Sequence, residues 1–596
     1  MAAKRRFVAD FETDVWSEVS TRVWAWCIVN IDDLNDIHYG NDIEDFILYL
    51  EHIHGSIVYF HNLKFDSSFI ITYLLEHGYT FKADKKEITE DRSFTALISE
   101  FNEFYSLEIY FQIRKKNKIK ITIYDSLKII NTPVAKIPKN FNIQEEKLEI
   151  DYREKREIGH KLTFEEVEYI KHDVIIVAKA LKYYIDKGLT KMTIGSNALG
   201  NYKDSIGISR FNNLFPKVEM EDYLNMRGAY KGGFTYLNPI YDSISVGEGE
   251  VLDVNSLYPS VMYNDLLPFG EGVRFEDKYV YDKIRPLYIQ VLTCSFELKE
   301  GMIPTIQIKG SRFIENEYLT SSDGDIVTLT LSNIDLDLFF EHYNVSEISY
   351  HGGYKFKCME GMFKSYIDTW IEEKNRGTIE GIKGIRQVAK SMLNSLYGKF
   401  ASSKSRASKS VNLTDEGVLE FTLNEAKEVD GLYLPMGIFI TAYARNKTIR
   451  TSQAIKDYSI KTYGKDLYIY SDTDSIHTLL PYEDLKKFCE IDDVKLGAWK
   501  HESHFTRARF LRQKTYIEEI DGKLNIKASG LTDKLYDKVT WDNFYKGLTL
   551  PGNLKFKYVK GGAILVDSPF TIKYSKIVKD FKVFQIDETK ISTLHN

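Results

Sequence analysis

Several things are scarce in this sequence, and each scarcity excludes something. There are four cysteines in 596 residues (Cys27, Cys294, Cys358 and Cys489), far apart. No pair has chelating spacing and the number is too small for a disulfide framework, so structural zinc is excluded and a reducing compartment is expected. Only 12 prolines occur, with no Pro-rich or Gly/Ser-rich linker and no repeat of 20–50 residues, which excludes solenoids and beads on a flexible string. Long apolar runs are missing too: FIITYLL at 69–75 falls well short of the ~20 residues that span a bilayer, so no membrane contact is expected. The opening MAAKRRFVADFE passes from a short basic tip into a strand-like pattern without an apolar segment of signal-peptide length, and a soluble, non-secreted protein is expected. Positive charge is not in excess: the formal net charge is −7, so bulk electrostatics count mildly against a polyanionic partner. What is present is 43% hydrophobic and 28% charged residues with 40 Tyr and 35 Phe, the makeup of a folded protein. At the usual ~100–200 residues per domain, it should form several modules.

Charge distribution therefore matters more than its sum. Basic clusters stand at 114–120 (RKKNKIK), between Lys374 and Lys390, and at 508–514 (ARFLRQK), each interleaved with apolar or aromatic residues. Such runs are more often solvated faces than binding sites. Pattern changes mark the modules. Residues 5–31 read as strand, turn, strand, 56–78 as a strand and an apolar-periodic helix, and 105–125 as strands. The stretch 163–186 opens with Thr163 and Glu166, a capping box, and carries helical periodicity. These first ~190 residues form one expected α/β module. After a strand-rich stretch at 250–268 come about a hundred residues of β-type alternation that include DIVTLTLSNIDL. A helical segment at 360–399, a helix over 432–455, the strand region 467–480 and a tail of short strands and basic turns from about 529 complete the chain.

Asp10 and Glu12 are two apart on the first strand, so their carboxylates share a face about 7 Å apart along the chain, a spacing that suits ions held between them. Alone, that pattern is common by chance. Asn62 and Asp66 stand at i and i+4, as do Tyr169 and Asp173 on a helix face. Four acids from three segments of one apolar module repel and are costly to desolvate, so their convergence calls for a divalent cation. The chemistry of such a site is phosphodiester hydrolysis, with Tyr169 near the attacking water and Asn62 orienting substrate. Two bland readings stay open: Asn62 ending a strand, and Tyr169 serving as a core aromatic.

A second set begins at Asp253, which follows an apolar strand and precedes a turn toward a helix at Leu257–Pro259. A lone Asp there is more often a helix cap. Asp472 and Asp474 in YIYSDTDSIH are again two apart, as in two strands joined by a tight turn, although surface turns also favour Asp and Thr. Between these acids Lys390, Asn394 and Tyr397 stand at i, i+4 and i+7 on one helix face, with Arg386 one turn earlier. Cations there would neutralise triphosphate oxygens and Tyr397 would offer a flat platform for a base pair, so acids plus a cationic helix read as a nucleotidyl-transfer site.

In order, DFE, NLKFD and YIKHD resemble the three motifs of proofreading 3′–5′ exonucleases. DVNSLYP, KSMLNSLYG, YSDTDS and KTY resemble the polymerase motifs of family B DNA polymerases, over nearly the whole chain. The chain most resembles the protein-primed, phi-twenty-nine-like enzymes of small tailed bacteriophages. The resemblance implies an α/β multidomain fold: an RNase H-like 3′–5′ exonuclease domain plus a right-hand polymerase of palm, fingers and thumb, with two family-specific insertions. It puts the exonuclease at 1–193, the palm at 194–264 and 434–528, and the fingers at 366–401. The insertion that binds priming protein and template falls at 265–365, the insertion for strand displacement and processivity at 402–433, and the thumb with a C-terminal extension at 529–596.

Position by position, the resemblance implies that Asp10, Glu12, Asp66 and Asp173 are exonuclease metal ligands, with Tyr169 catalytic. Asn62, Leu63, Lys147 and Tyr152 assist on single-stranded DNA. Asp253 and Asp474 become the polymerase metal ligands, Val254 offers its carbonyl, and Asp472 is a supporting acid. Tyr258 lies under the sugar and excludes a 2′-hydroxyl. Lys374, Arg386 and Lys390 meet the triphosphate, and Asn394 and Tyr397 check the nascent pair. Lys514 and Tyr516 hold the primer end, while Tyr230, Gly232 and Gly233 of YKGG match the DNA-contacting segment that couples the two activities. Against the family pattern the spacing before Lys390 is longer, the stretch between Tyr516 and Gly530 is shorter, and residues 574–596 run past the usual end.

The expected function is therefore phage DNA synthesis that starts from a protein hydroxyl, displaces strands, runs processively and proofreads. Mg2+ is expected, two ions per site, with Mn2+ able to substitute. Template-primer DNA, dNTPs and a phage terminal (priming) protein are the expected partners, for a monomer in the cytoplasm of an infected bacterial host. Three other readings compete. A nuclease that has lost synthesis leaves Lys390, Tyr397 and Tyr258 without a reason, and a reverse transcriptase would not carry the amino-terminal motifs. A non-catalytic scaffold predicts broken acidic sets, yet all six main carboxylates are present.

Overall fold

The computed structural model describes residues 4–573, apart from 16, 115–116, 152–153 and 309–316. Tyr152, two lysines of the first basic cluster and the expected extension at 574–596 lie outside the described residues.

The amino-terminal module is built on an eight-stranded sheet. Its strands run in the order Ile37–Gly40, Val23–Asn30, Arg6–Thr13, Ile57–Phe60, Asn117–Asp125, Phe104–Arg114, Ser93–Ile98 and Thr80–Phe81. Arg6–Thr13 pairs in parallel with Ile57–Phe60, and that strand in parallel with Asn117–Asp125, which requires helical crossovers on the faces. Alternation along the first strand sorts its residues. Phe7, Ala9 and Phe11 share a core with Phe46 and Phe69 of the helices Ile43–His52 and Leu63–Glu76. Val8 shares the opposite core with Tyr169, Ile170 and Val174 of the helix Phe164–Asp186. Asp10 and Glu12 fall on the Val8 side, so period-2 geometry aims them at that helix. The helix starts where its capping box specifies: Glu166 N–H donates to Thr163 Oγ1 at 3.2 Å and Thr163 N–H to Glu166 Oε2 at 2.9 Å.

A five-stranded antiparallel sheet lies at the middle of the chain, in the order Trp499–Phe505, Gly249–Val254, Ser475–Thr478, Tyr468–Asp472 and Thr235–Leu237. The 30-residue helix Leu434–Tyr463 packs on it, and the helix Leu257–Asn264 packs against that helix. Residues 265–365 hold a four-stranded sheet, Leu267–Phe275, Tyr343–Met359, Leu287–Leu298 and Val327–Ser332. Three expectations need correction here. The NIDL end of the alternating run is helical, Asn333–His342, because Ser332 caps it by accepting the Asp335 N–H at 3.2 Å. The helical segment at 360–399 is two helices, Lys364–Ile379 and Lys383–Phe400, broken at Gly381, whose φ of +69° suits glycine. The tail contains not only short strands but a long hairpin, Thr549–Val559 with Gly562–Thr571.

That hairpin packs back on the amino-terminal module: a Cβ on Gly562 would sit 2.5 Å from the Phe69 ring. A second hairpin, Lys409–Leu413 with Leu419–Leu423, joins the same core through Val411 and Leu419, and Phe421 touches Tyr558 at 4.9 Å between ring centroids. The ARFLRQK cluster is partly structural, since Arg509 lies over Trp541 and donates to the Trp541 and Phe544 carbonyls at 3.1 and 2.9 Å. All four cysteines are free. Among the described residues no helix is long and apolar enough to cross a membrane.

Candidate functional site

Two acidic sites emerge. In the first, oxygens of Asp10, Glu12 and Asp173 all lie within 4.8 Å of one another. Burial, then the charge of Asp173, pushes the Asp10 carboxyl up to about 7. Burial, followed by Asp10 and Asp173, holds Glu12 well above the carboxylate range. Burial also raises Asp173, against the pull of Lys147, whose ammonium donates to Asp173 Oδ2 and lies 5.4 Å from the Tyr169 ring centre. Asp173 Oδ1 is buried with no hydrogen-bond partner among the described residues. Asp66 stands outside this 4.8 Å group, on the first turn of Leu63–Glu76, yet it is held well above its usual range by burial and then by Asp10. A cavity of about 190 Å³ is lined by Asp10, His61, Lys147, Asp173 and apolar neighbours. Buried oxygen donors that repel one another, one of them unpartnered, form a donor set that fits a hard divalent cation.

Asn62 does not end the strand, which stops at Phe60, but stands at the start of the helix Leu63–Glu76. Its φ is +81°, its N–H donates to Asp125 Oδ1 at 3.1 Å, and its side chain makes no capping bond. Leu63 is fully buried, so its side chain is committed to the core. Tyr169 is also buried, which joins the core-aromatic reading to its place beside Lys147. Two neighbours escape the linear pattern. Asp125 orders the Asn62 turn and adds to the upward push on Asp66, and its signal was the Asp-Ser step after a strand, since it also accepts the Leu127 N–H at 2.9 Å. His61 is bonded on both ring nitrogens, to Ser126 Oγ at 2.9 Å and the Thr132 carbonyl at 2.8 Å, and burial lowers it to about 4.

In the second site, Asp253 lies opposite Ser475 in the central sheet, and the Val254 N–H donates to the Asp474 carbonyl at 2.7 Å. The SDTDS segment is the expected turn: Asp474 N–H reaches the Asp472 carbonyl at 2.7 Å and Thr473 adopts φ +64°. Burial, then Asp474 and Glu502, pushes Asp253 up to about 7, opposed by Lys390 and Lys500. Burial also raises Asp474. Asp472 turns aside, accepting from Lys514 Nζ at 2.6 Å and Thr235 Oγ1 at 3.3 Å. Lys514, at φ +56°, donates its N–H to Tyr470 Oη at 2.9 Å. Tyr516 packs near it against Phe510, Tyr470 and His477.

The helix Lys383–Phe400 buries Ile385, Val388, Ala389, Met392, Leu393 and Leu396, leaving Arg386, Lys390 and Asn394 exposed on the other side. Lys374, from the neighbouring helix, joins them. Burial, then Arg386, Lys390 and Lys500, lowers its ammonium. Tyr397 stacks on Tyr258 with ring centres 4.0 Å apart. Tyr230 lies close enough to influence both tyrosines, and a Cβ on Gly233 would lie 2.5 Å from Thr473 Oγ1, which explains the glycine beside the acidic turn. The buried Arg445 donates through Nη1 to the carbonyls of Lys231 and Gly232, each at 2.9 Å, and grips the Asp335 carboxylate through Nη2 and Nε. Lys500, Glu502 and Arg445 were not legible as site residues.

One carboxylate set facing a four-cation cluster, and a separate buried acidic set, are the arrangement of a polymerase. The chain belongs to the type B DNA polymerases of organelles and viruses, whose family profile matches residues 52–490. It is 44% identical over 590 residues to the DNA polymerase of Bacillus phage phi29, covering 96% of this chain and 99% of that protein. It is 31% identical to the DNA polymerase of Streptococcus phage Cp-1, covering 95% of this chain and 98% of that one. The phi29 DNA polymerase solved with primer-template DNA and incoming nucleotide superimposes with a TM-score of 0.89 at 43% identity, covering 96% of this chain and 100% of that one.

Proposed function

We propose that this polymerase replicates phage DNA from a protein primer, in the cytoplasm of an infected bacterial host, with strand displacement and 3′–5′ proofreading. The observation that carries the reading is the pair of separate acidic sites, each raised in proton affinity by burial and by its own neighbours. Mg2+, two ions per site with Mn2+ able to substitute, would be held by Asp253, Asp474 and the Val254 carbonyl in one site and by Asp10, Glu12, Asp66 and Asp173 in the other. When bound it supplies charge neutralisation on phosphate oxygens and a stronger attacking oxygen.

The chain's own residues do the rest. Lys374, Arg386 and Lys390 draw the triphosphate of a dNTP, and their mutual repulsion makes an anion welcome there. The Tyr258–Tyr397 stack presents an aromatic wall to sugar and base, with Asn394 on the same helix. Lys514 steadies the primer end while Asp472 braces Lys514. In the degradative site Tyr169 and Lys147 flank Asp173, Asn62 and Tyr152 guide single-stranded DNA, and the buried Leu63 supports the Asn62 turn from the core. Residues 1–193 act as exonuclease, 194–264 and 434–528 as palm, 366–401 as fingers, and 529–596 as thumb and extension. The insertions at 265–365 and 402–433 serve the terminal protein, template and strand separation. The test is a Mg2+-dependent assay with one dNTP, origin-containing template and a candidate terminal protein. Covalent nucleotide transfer to that protein is expected, and extension of ordinary primers without any such transfer refutes protein priming.

A further inference from the structure

The cations proposed to meet the triphosphate repel one another, so something must hold Lys374 among them before an anion arrives. The neighbouring residue on the same helix does this from behind. Glu373 points about 100° around the helix from Lys374 and meets the end of the helix Phe164–Asp186, in the amino-terminal module. Tyr183 Oη donates to Glu373 Oε1 at 2.7 Å, and Lys187, which follows that helix, reaches the same oxygen at 2.5 Å. Arg376 closes the group by donating to Oε1 at 2.6 Å and to Oε2 at 3.1 Å, with a further 3.3 Å bond to Tyr183 Oη. The Glu373 side chain is only 15% exposed. Although burial pushes its carboxyl up, hydrogen bonds from Arg376, Lys187 and Tyr183 hold it down at about 2, so it is charged throughout the working range.

The second cationic helix docks on the same module. A Cβ on Gly384 would lie 2.5 Å from the Phe141 ring, and Phe141 meets Tyr183 edge-on at 6.1 Å. Helix Phe164–Asp186 thus carries Asp173 near its middle and, ten residues or about 15 Å further on, the contact with both cationic helices.

We infer that Glu373 is a positioning residue for nucleotide binding: by tying Lys364–Ile379 to the end of Phe164–Asp186, it keeps Lys374 within reach of the triphosphate. This rests on the triphosphate role proposed for Lys374. The test is steady-state insertion of a single dNTP on primed template, with KM and kcat measured for Glu373→Ala, Lys374→Ala and the double variant. Glu373→Ala should raise KM about three- to tenfold with kcat within about twofold, and the double variant should be no worse than Lys374→Ala alone, because the two act as one unit. Degradation of single-stranded DNA should stay at the wild-type rate. Tyr183→Phe with Lys187→Met cuts the same ties from the other side and should reproduce the KM shift, should Glu373→Ala fold poorly. If Lys374→Ala raises KM while neither tether variant does, or if the effects multiply in full, the inference is overturned. If Lys374→Ala leaves KM unchanged, the triphosphate role of Lys374 falls, and this inference with it.

Discussion

Glu108 offers a way to soften the amino-terminal sheet without touching either acidic site. It lies on Phe104–Arg114, between Thr95 and Thr122 of the flanking strands, and is 4% exposed. It accepts from Lys120 Nζ at 2.7 Å and Tyr110 Oη at 2.8 Å, and it also pairs with Lys85. Burial pushes its carboxyl up, but the bonds from Lys120, Lys85 and Tyr110 win and lower it from 4.5 to about 2. About 2.5 pH units at ~1.4 kcal/mol each corresponds to roughly 3 kcal/mol. Because the folded value is depressed, this stability is fully present above about pH 4.5 and is lost as pH falls through about 2. Glu108→Gln keeps the shape and a bond with Tyr110 but loses the charge. At pH 7.5 it should lower the unfolding midpoint of the amino-terminal module by roughly 6–12 °C, at ~2–4 °C per kcal/mol for a unit of this size. The gap should shrink by about half near pH 3.2. Asp10 and Glu12 sit on the same sheet and Asp253 on another, so brief heating of the variant should remove 3′–5′ degradation before primer extension. An equal gap at pH 7.5 and pH 3.2, or simultaneous loss of both activities, would refute this reasoning.

Three further outcomes follow from the sites. Asp253→Ala or Asp474→Ala should abolish primer extension, a loss of at least about 10³-fold, while degradation survives; parallel loss of both in a primer-extension and degradation assay would mean misfolding or a shared site. Asp10→Ala with Asp66→Ala should remove degradation of a labelled 3′ end and spare extension, and persistent Mg2+-dependent degradation would reject the first acidic site. Tyr258→Val removes the ring stacked on Tyr397 and should raise ribonucleotide incorporation by about 10- to 100-fold, read as the ratio of kcat/KM for dNTP and rNTP; an unchanged ratio would contradict the place under the sugar proposed for it.

What could be read from the sequence was whatever depends on short-range periodicity. Asp10 and Glu12 on one face, the Thr163–Glu166 capping box and the turn between Asp472 and Ser475 are all local geometry, and all three stand in the fold. The Lys390–Asn394–Tyr397 face was visible because helical spacing is also local. Long-range pairing was invisible. Lys500 and Glu502 come to Asp253 only because Trp499–Phe505 pairs with Gly249–Val254, about 250 positions away. Arg445 looked like one polar residue in a long helix, since nothing nearby in the chain names its partners Lys231, Gly232 and Asp335. The alternation of VTLTL masked the helix behind it, because a β-branched strand runs directly into the Ser332 cap.

Arg445 grips Lys231 and Gly232 through their carbonyl oxygens, and a carbonyl is the same whatever side chain hangs from its residue. The course of that connecting segment is thus written into a helix more than two hundred residues downstream. A substitution at 231 can alter what the segment displays without rerouting it. Rerouting takes a change at 445, where a lysine, with one terminal nitrogen in place of a guanidinium fork, could not serve both carbonyls and the Asp335 carboxylate together.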